Sequence, residues 1–177
     1  MKSLTHYIQE KLIIKKSKIS EYKYFPKTKE ELKDIIEKRI KEEGNEVDLN
    51  DIDVSNIKDM SYLFARKDFN GDISNWDVSN VKDMAGMFFE CKSFNKDISQ
   101  WDVSNVKYMV GMFFNCESFN QDISQWDVSK VTNMKYMFWE CGEFNQDISS
   151  WDVSNVTDMQ DMFYNCPIKE KYKPNFK

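Results

Sequence analysis

FNKDISQWDVSNVKYMVGM, at residues 94–112, is followed 25 positions later by FNQDISQWDVSKVTNMKYM, at residues 119–137. Self-similarity at such a period is typical of proteins in which each unit buries its apolar face only against its neighbours. The repetition therefore predicts a solenoid of stacked coils. Full repeat units, with the pattern F-N-x-D-I-S-x-W-D-V-S-[NK]-V-x-x-M-x-x-M-F-[aromatic]-[EN]-C, begin at Phe69, Phe94, Phe119 and Phe144.

A degenerate unit starts at Asp48, before the full ones. Ile52 stands where the Trp of the pattern belongs, and Ala65 stands where the second aromatic residue belongs. An atypical first unit is expected of a capping repeat, which has one neighbour to pack against. The predicted organisation is an N-terminal helical cap or docking segment at 1–47, the repeats at 48–166, and a capping tail at 167–177.

The apolar spacing changes within each unit. Val81, Met84 and Met87, with Phe88 and Cys91, recur at helical spacing, which predicts a short helix over about 81–90. The polar F-N-x-D-I-S-x-W stretch is too short for a helix and predicts a strand, and D-V-S-N predicts a turn. One strand and one helix per unit favour a leucine-rich-repeat-like α/β solenoid. The alternative is a right-handed parallel β-solenoid.

The string C-x-x-F-N-x-D-I-S-x-W-D-V-S-N-V-x-x-M-x-x-M-F resembles the repeat of the BspA-like leucine-rich-repeat surface proteins. That family includes the 25-residue repeat domain of unknown function first described in mycoplasma lipoproteins. The resemblance spans about residues 48–166. It implies a leucine-rich-repeat-like fold in a bacterial or phage protein that is often displayed for adhesion or recognition. It implies no catalytic residues.

Two helical patterns precede the repeats. Leu4, Tyr7, Ile8, Leu12 and Ile13 form an amphipathic stretch, interpreted as part of the cap or as a separable docking tag. A second helix is predicted to begin after Thr28 as N-cap, with Glu31 as its capping-box partner, and to end at Gly44. Its apolar face consists of Leu32, Ile35, Ile36 and Ile40.

Charge excludes some classes of partner. Residues 45–166 carry 9 basic and 21 acidic side chains, which disfavours a nucleic-acid surface. No apolar run reaches the roughly 18 residues of a membrane helix, so no membrane span is predicted. The start shows no secretory apolar region. The expected location is therefore cytoplasmic or virion-associated, although relatives are often displayed at the surface.

The residues give no pattern for catalysis. His6 is the single histidine, so neither a Ser-His-Asp triad nor a multi-histidine metal site is expected. The protein is therefore predicted not to be an enzyme and to bind no cofactor or metal. The cysteines recur once per repeat and are interpreted as buried, equivalent core positions: Cys91, Cys116, Cys141 and Cys166.

The aspartates form two predicted columns. They are interpreted as turn-stabilising residues that accept from backbone amides, with a calcium ladder as the alternative. One column contains Asp72, Asp97, Asp122 and Asp147, and the other contains Asp77, Asp102, Asp127 and Asp152.

Two aromatic ladders remain. The first is interpreted as corner fillers in the core: Trp76, Trp101, Trp126 and Trp151. The second follows the inward Met-Phe pair and is the candidate interaction stripe: Phe89, Phe114, Trp139 and Tyr164. Whether these rings form an interface or pack between neighbouring helices is left open at this point.

The leading functional hypothesis is a non-enzymatic recognition or scaffold module that binds a protein or glycan through the repeat surface. One alternative is a structural or cargo component docked by its N-terminal segment. Another is a calcium-dependent adhesin. The ligand and the oligomeric state are not predicted.

Overall fold

A computed structural model describes residues 21–176 of the chain. In that part, the only α-helix is α1, Lys29–Glu43, and a single 3₁₀ turn spans Glu170–Tyr172. The predicted amphipathic stretch around Leu4 to Ile13, and His6, lie outside the described residues. The repeats stack on one another in the order in which they follow in the sequence. Isolated parallel bridges join Asp59 to Asp83, Asp83 to Tyr108, Tyr108 to Asn133, and Asn133 to Asp158.

The predicted leucine-rich-repeat-like α/β solenoid is wrong, and so is the alternative parallel β-solenoid. The segment predicted as a helix over 81–90 has an isolated bridge at Asp83 followed by turns over 85–90, and its equivalents in the other full repeats are alike. Across residues 21–176 the bridges stay single and never extend into a strand or a sheet. Each repeat is instead one irregular layer, built from turns, in a stack of such layers.

The helix does not form because the amides of this segment bond in two alternating directions. Gly86 and Phe88 donate to Val110 and Met112 in the next repeat, at 2.8 and 3.0 Å. The amide between them, that of Met87, donates to Met84 three residues back, at 3.1 Å. An α-helix requires bonds to the residue four positions back. Apolar spacing alone did not distinguish a helix from this turn-built layer.

Left-handed backbone also excludes a helix. Each repeat contains two residues with positive φ, four positions apart, such as Gly86 at 59° and Glu90 at 55°. A residue with positive φ interrupts a right-handed helix, which requires φ near about −63° at every position. The remaining members are Tyr62, Arg66, Gly111, Asn115, Tyr136, Glu140, Asp161 and Asn165.

The predicted strand is replaced by layers joined through side chains. The Asn95 amide donates to Oδ1 of Asn70, and the Asn120 amide donates to Oδ1 of Asn95, both at 3.0 Å. Asp97, two residues after Asn95, accepts from the Ser99 amide at 2.8 Å within its own layer. Amides bonded to asparagine and aspartate side chains cannot form a strand ladder.

The core is a column of stacked rings. Phe88 lies over Phe94, the first residue of the next repeat, at 4.0 Å between centroids, and Phe113, the equivalent of Phe88 in that repeat, lies 5.6 Å from Phe88. Methionine, valine and isoleucine side chains surround these rings and are fully or almost fully buried. Because every repeat meets the same neighbours, the same residue types solve the packing in each layer.

Helix α1 packs against the first repeats and has the predicted ends. Thr28 accepts from the Glu31 amide at 3.2 Å, and the Gly44 amide donates to Ile40. Leu32 and Ile36 are fully buried in the common core. The prediction of this helix and of its caps, Thr28 and Gly44, is confirmed. The predicted capping-box partner, Glu31, instead accepts from the Lys27 amide, at 2.7 Å, one residue before the N-cap.

Arg39 ties α1 to the degenerate repeat. Its guanidinium donates to Asp51 at 2.8 Å and to the Asp48 carbonyl at 2.9 Å, and it also contacts Glu43. Although burial opposes the charge, these carboxylates raise the pKa of Arg39 above its usual range. The helix is therefore held by a charged contact as well as by apolar packing.

The C-terminal residues lie on the last full repeat. Ile168 is buried, and the Ile148 amide donates to the Tyr172 carbonyl at 3.0 Å. The Lys169 amide donates to Oδ1 of Asn145, which repeats the asparagine contact between earlier layers. Lys173 lies over the Phe163 ring at 5.6 Å. The tail thus occupies part of the position of a following layer.

Candidate functional site

Backbone turns position the aromatic stripe, which consists of Phe89, Phe114, Trp139 and Tyr164. The Phe89 amide donates to Gly86, and the Phe114 amide donates to Gly111, at 2.9 and 3.1 Å. The ring just before the stripe residue is fully buried in the first three turns, as Phe88 is, and Phe163 before Tyr164 is partly buried. The left-handed residue three positions back therefore turns the chain so that one ring enters the core and the next ring lies outside it.

The rings of the stripe stack face to face along the layers. Phe89 and Phe114 are 4.6 Å apart between centroids, Phe114 and Trp139 5.9 Å, and Trp139 and Tyr164 4.0 Å. The interplanar angles of 14°, 5° and 20° are close to parallel. The rings therefore pack against one another, although no helices lie between them.

The same rings form part of the surface. Phe89, Phe114 and Trp139 are half-buried, and Tyr164 at the end of the stripe is 48% exposed. Parallel stacking covers the faces of the inner rings, so their edges meet solvent. Contiguous aromatic surface of this kind is typical of interfaces, where rigid aromatic side chains contribute much of the binding energy.

Further residues that the sequence did not single out join the stripe. Tyr136 meets Trp139 edge to face at 5.4 Å, and the Lys135 ammonium lies 4.7 Å from the Tyr136 centroid. Tyr62 lies 6.4 Å from Phe89, and Arg66 lies 5.7 Å from the same ring. Tyr62 and Tyr136 occupy the left-handed position held by glycine in two other repeats. A tyrosine in place of glycine in the aligned repeats was the sequence signal that could have identified them.

The tryptophan ladder lies in the core, away from the stripe. Each indole is 3 to 5% exposed. The indole N–H of Trp76 donates to the Leu49 carbonyl at 2.9 Å. Trp101, Trp126 and Trp151 donate to Ile73, Ile98 and Ile123 at 3.2, 3.1 and 3.2 Å. Each indole therefore joins its own layer to the preceding one and offers nothing to an external ligand.

The cysteine ladder is buried and unbridged. Cys91, Cys116 and Cys141 are fully buried, Cys166 is partly buried, and all four carry free thiols. Their sulfurs contact main-chain carbonyls, for example Cys116 with Phe88 at 2.8 Å. Burial raises the pKa of Cys91 to about 12, and raises the pKa of Cys116 and Cys141 well above the usual value. Such thiols are poor nucleophiles at neutral pH.

The aspartate columns stabilise turns, as predicted. Asp122 accepts from the Ser124 amide at 2.9 Å, and Asp127 accepts from the Ser129 amide at 3.0 Å. These serine contacts hold the pKa of both carboxyls below the usual range. Within residues 21–176, no group of three or more His, Cys, Asp or Glu side chains is arranged to hold a metal ion.

None of the described helices is both long and apolar enough to cross a membrane. Among known proteins, the family model described as "Mycoplasma protein of unknown function, DUF285" matches residues 31–141 and 108–171. No curated protein and no solved structure matches the chain significantly. Because the matched residues include α1 from Glu31 onward and all the repeats, the chain belongs to this family of unknown function.

Proposed function

We propose that the protein is a non-enzymatic recognition module that binds a partner protein through the aromatic stripe. The observation that carries the proposal is the contiguous row of stacked rings at the surface, ending in Tyr164 at 48% exposure. When a partner covers this row, apolar surface is removed from water, which stabilises the complex by about 25 cal/mol for each Å² buried. The rings are already ordered by stacking, so binding costs little side-chain entropy.

The proposal also includes a relationship to the BspA-like surface proteins, and with it a role in adhesion. The repeat pattern from Phe69 to Cys166 supports it. Chemistry in the described residues also favours binding over catalysis, because the buried thiols have raised pKa values and the aspartates are engaged in turns. A partner glycan is less favoured, because stacked rings present edges, whereas sugars usually stack on ring faces.

The test is site-specific photocrosslinking in extracts of the source cells. A photoreactive phenylalanine derivative replaces Tyr164 in one variant and Tyr108 in another. Tyr108 is a matched control, because it is 46% exposed and lies in the bridge column, outside the stripe. We expect a discrete adduct from position 164 and none from position 108.

A second step ties the adduct to the stripe. Replacing Trp139 by Ala in the crosslinking variant is expected to abolish the adduct while the melting transition stays cooperative. Equal adducts from positions 164 and 108, or an adduct that persists without Trp139, would overturn the proposed function.

A further inference from the structure

The aromatic stripe is one ring short at its first layer. Amide bonds from Phe64 to Met87 and from Arg66 to Phe89, at 2.9 and 2.7 Å, fix the register of the first two repeats. In that register Ala65 occupies the stripe position opposite Phe89. Phe114 has a parallel ring on both sides, whereas Phe89 has one on the side of Phe114 only. The methyl group of Ala65 leaves the other face of Phe89 without a stacked ring.

An open hollow of about 350 Å³ occupies this place. Its lining consists of Tyr62, Ala65, Arg66 and Phe89, and we call it the Ala65 hollow. Tyr62 forms one wall, with its ring tilted by 55° to Phe89 at 6.4 Å. Arg66 forms another wall, 5.7 Å from the Phe89 ring and paired with Glu90 at 3.2 Å. The guanidinium lies over the Phe89 ring and Arg66 is 74% exposed, so an incoming ring would displace this side chain toward solvent.

Gly86 holds the Tyr62 wall in place. A Cβ atom at Gly86 would lie 2.4 Å from Cε1 of Tyr62, which shows that the ring rests directly on the glycine backbone. Gly111 is the equivalent residue of the next layer, with a similar φ of 55°. A Cβ atom there would meet only ordinary contacts, 3.7 Å to Phe114 and 3.8 Å to Phe89. The Tyr62 ring therefore leaves no room for a Cβ atom at Gly86, whereas a Cβ atom fits at Gly111.

We propose that the Ala65 hollow is a socket for one aromatic side chain of a partner polypeptide, which stacks on Phe89 and continues the stripe. The inference rests on the proposed function and names the chemistry of its partner. The stripe itself sets the geometry, since its successive rings are 4.0 to 5.9 Å apart. Ring pairs at such distances stabilise each other beyond the effect of the area they bury.

The lining favours an uncharged aromatic ring over other flat ligands. The guanidinium of Arg66 is paired with Glu90, so a phosphate would have to compete with that carboxylate. The repeats also carry more than twice as many acidic as basic residues, which disfavours a nucleotide. A sugar would need hydrogen-bond partners for several hydroxyls, and the lining side chains offer the Tyr62 hydroxyl and the paired Arg66.

The test uses the full ¹⁵N-labelled chain and three small probes: N-acetyl-tryptophanamide, N-acetyl-leucinamide and methyl β-glucoside. We expect the tryptophan probe to bind in the millimolar range and to shift the amide signals of Tyr62, Ala65, Arg66 and Phe89. We expect the leucine and glucoside probes to bind at least tenfold more weakly. Binding of the leucine probe or of the glucoside at these residues as tightly as the tryptophan probe would overturn the socket.

Three variants locate the binding. Ala65→Phe adds the missing ring and should abolish binding of the tryptophan probe. Gly86→Ala displaces Tyr62 and should weaken binding several-fold, whereas Gly111→Ala carries the same backbone strain and should bind as the native chain does. Retained binding in both Ala65→Phe and Gly86→Ala would overturn the proposal.

The probe assay needs no partner, so lost crosslinking from position 164 with intact probe binding would contradict the proposed function alone.

Discussion

The indole N–H of Trp101 donates to the main-chain carbonyl of Ile73 in the preceding repeat, at 3.2 Å between the two heavy atoms. Both groups are buried, so no water replaces the bond if the donor is removed. The Ile73 carbonyl keeps a second donor, the Trp76 amide at 3.2 Å, so the loss is that of one buried hydrogen bond, about 0.5 to 1.5 kcal/mol. The contact therefore stabilises the stacking of one layer on another, in addition to filling space.

Replacing Trp101 by Phe removes this donor and part of the ring. We expect the free energy of unfolding to fall by about 2 to 4 kcal/mol, from the lost bond and the cavity together. Urea denaturation measures the change. Tyr108→Phe is the control, because it removes a polar group from an exposed ring and should change stability by less than about 0.5 kcal/mol. A Trp101→Phe chain as stable as the native one would contradict the role of the bond.

Left-handed positions offer a stabilising substitution. Asp161 has φ of 52°, at the position where two other repeats have glycine. We expect Asp161→Gly to raise the free energy of unfolding by about 0.5 to 1 kcal/mol, because glycine adopts this conformation without strain. Thermal and urea unfolding measure the difference.

The control for this change is Glu143→Gly, at an exposed turn residue that does not have positive φ. Glycine there should lower stability by about 0.5 to 1 kcal/mol, through the entropy of the unfolded chain. If both substitutions lower stability equally, backbone strain at Asp161 does not contribute.

The sequence predicted the units of this molecule better than their conformation. The 25-residue period, the helix that follows Thr28 and the turn role of the aspartates all followed from residue types and spacing. The predicted helix over 81–90 is absent. The spacing of Met84, Met87 and Phe88 fits an inward-facing row on a helix and one on a turn-built layer equally well, so it could not distinguish the two. The decisive bonds run to the next repeat, and a local pattern contains no information about them.

The candidate surface was likewise found only in part. The stripe positions could be read from the aromatic residue that follows each Met-Phe pair. The Ala65 hollow could not, because it depends on the register of two repeats and on the tilt of the Tyr62 ring. The missing aromatic residue at Ala65 was visible in the alignment of units, but its consequence required the neighbouring side chains.

Calcium should not stabilise the protein. The aspartates of the repeats already accept backbone amides in their own turns, as Asp97 does from Ser99. We expect the melting temperature in millimolar calcium to equal that in the same concentration of magnesium. Differential scanning fluorimetry measures it. A rise specific to calcium would instead support the adhesin alternative in its calcium-dependent form.

Acid should destabilise the stack through the same turns. Contacts with Ser124 and Ser129 lower the pKa values of Asp122 and Asp127 in the folded chain. A carboxyl with a lowered folded pKa contributes stability that is complete above its unfolded value, near about 3.9, and is lost as pH falls through the folded value. Urea denaturation between about pH 6 and pH 2.5 should show a decline that begins near the unfolded value.

The double variant Asp122→Asn, Asp127→Asn separates this effect from general acid unfolding. Asparagine keeps an amide oxygen as acceptor, as Asn133 does for the Lys135 amide at 2.9 Å in the equivalent turn of another column. The variant should therefore fold, and its stability should fall less steeply with acid than that of the native chain. Parallel curves would contradict the assignment, because they would place the acid-sensitive carboxyls elsewhere. A flatter curve would establish that the repeated aspartates act as charged acceptors in the turns of the stack.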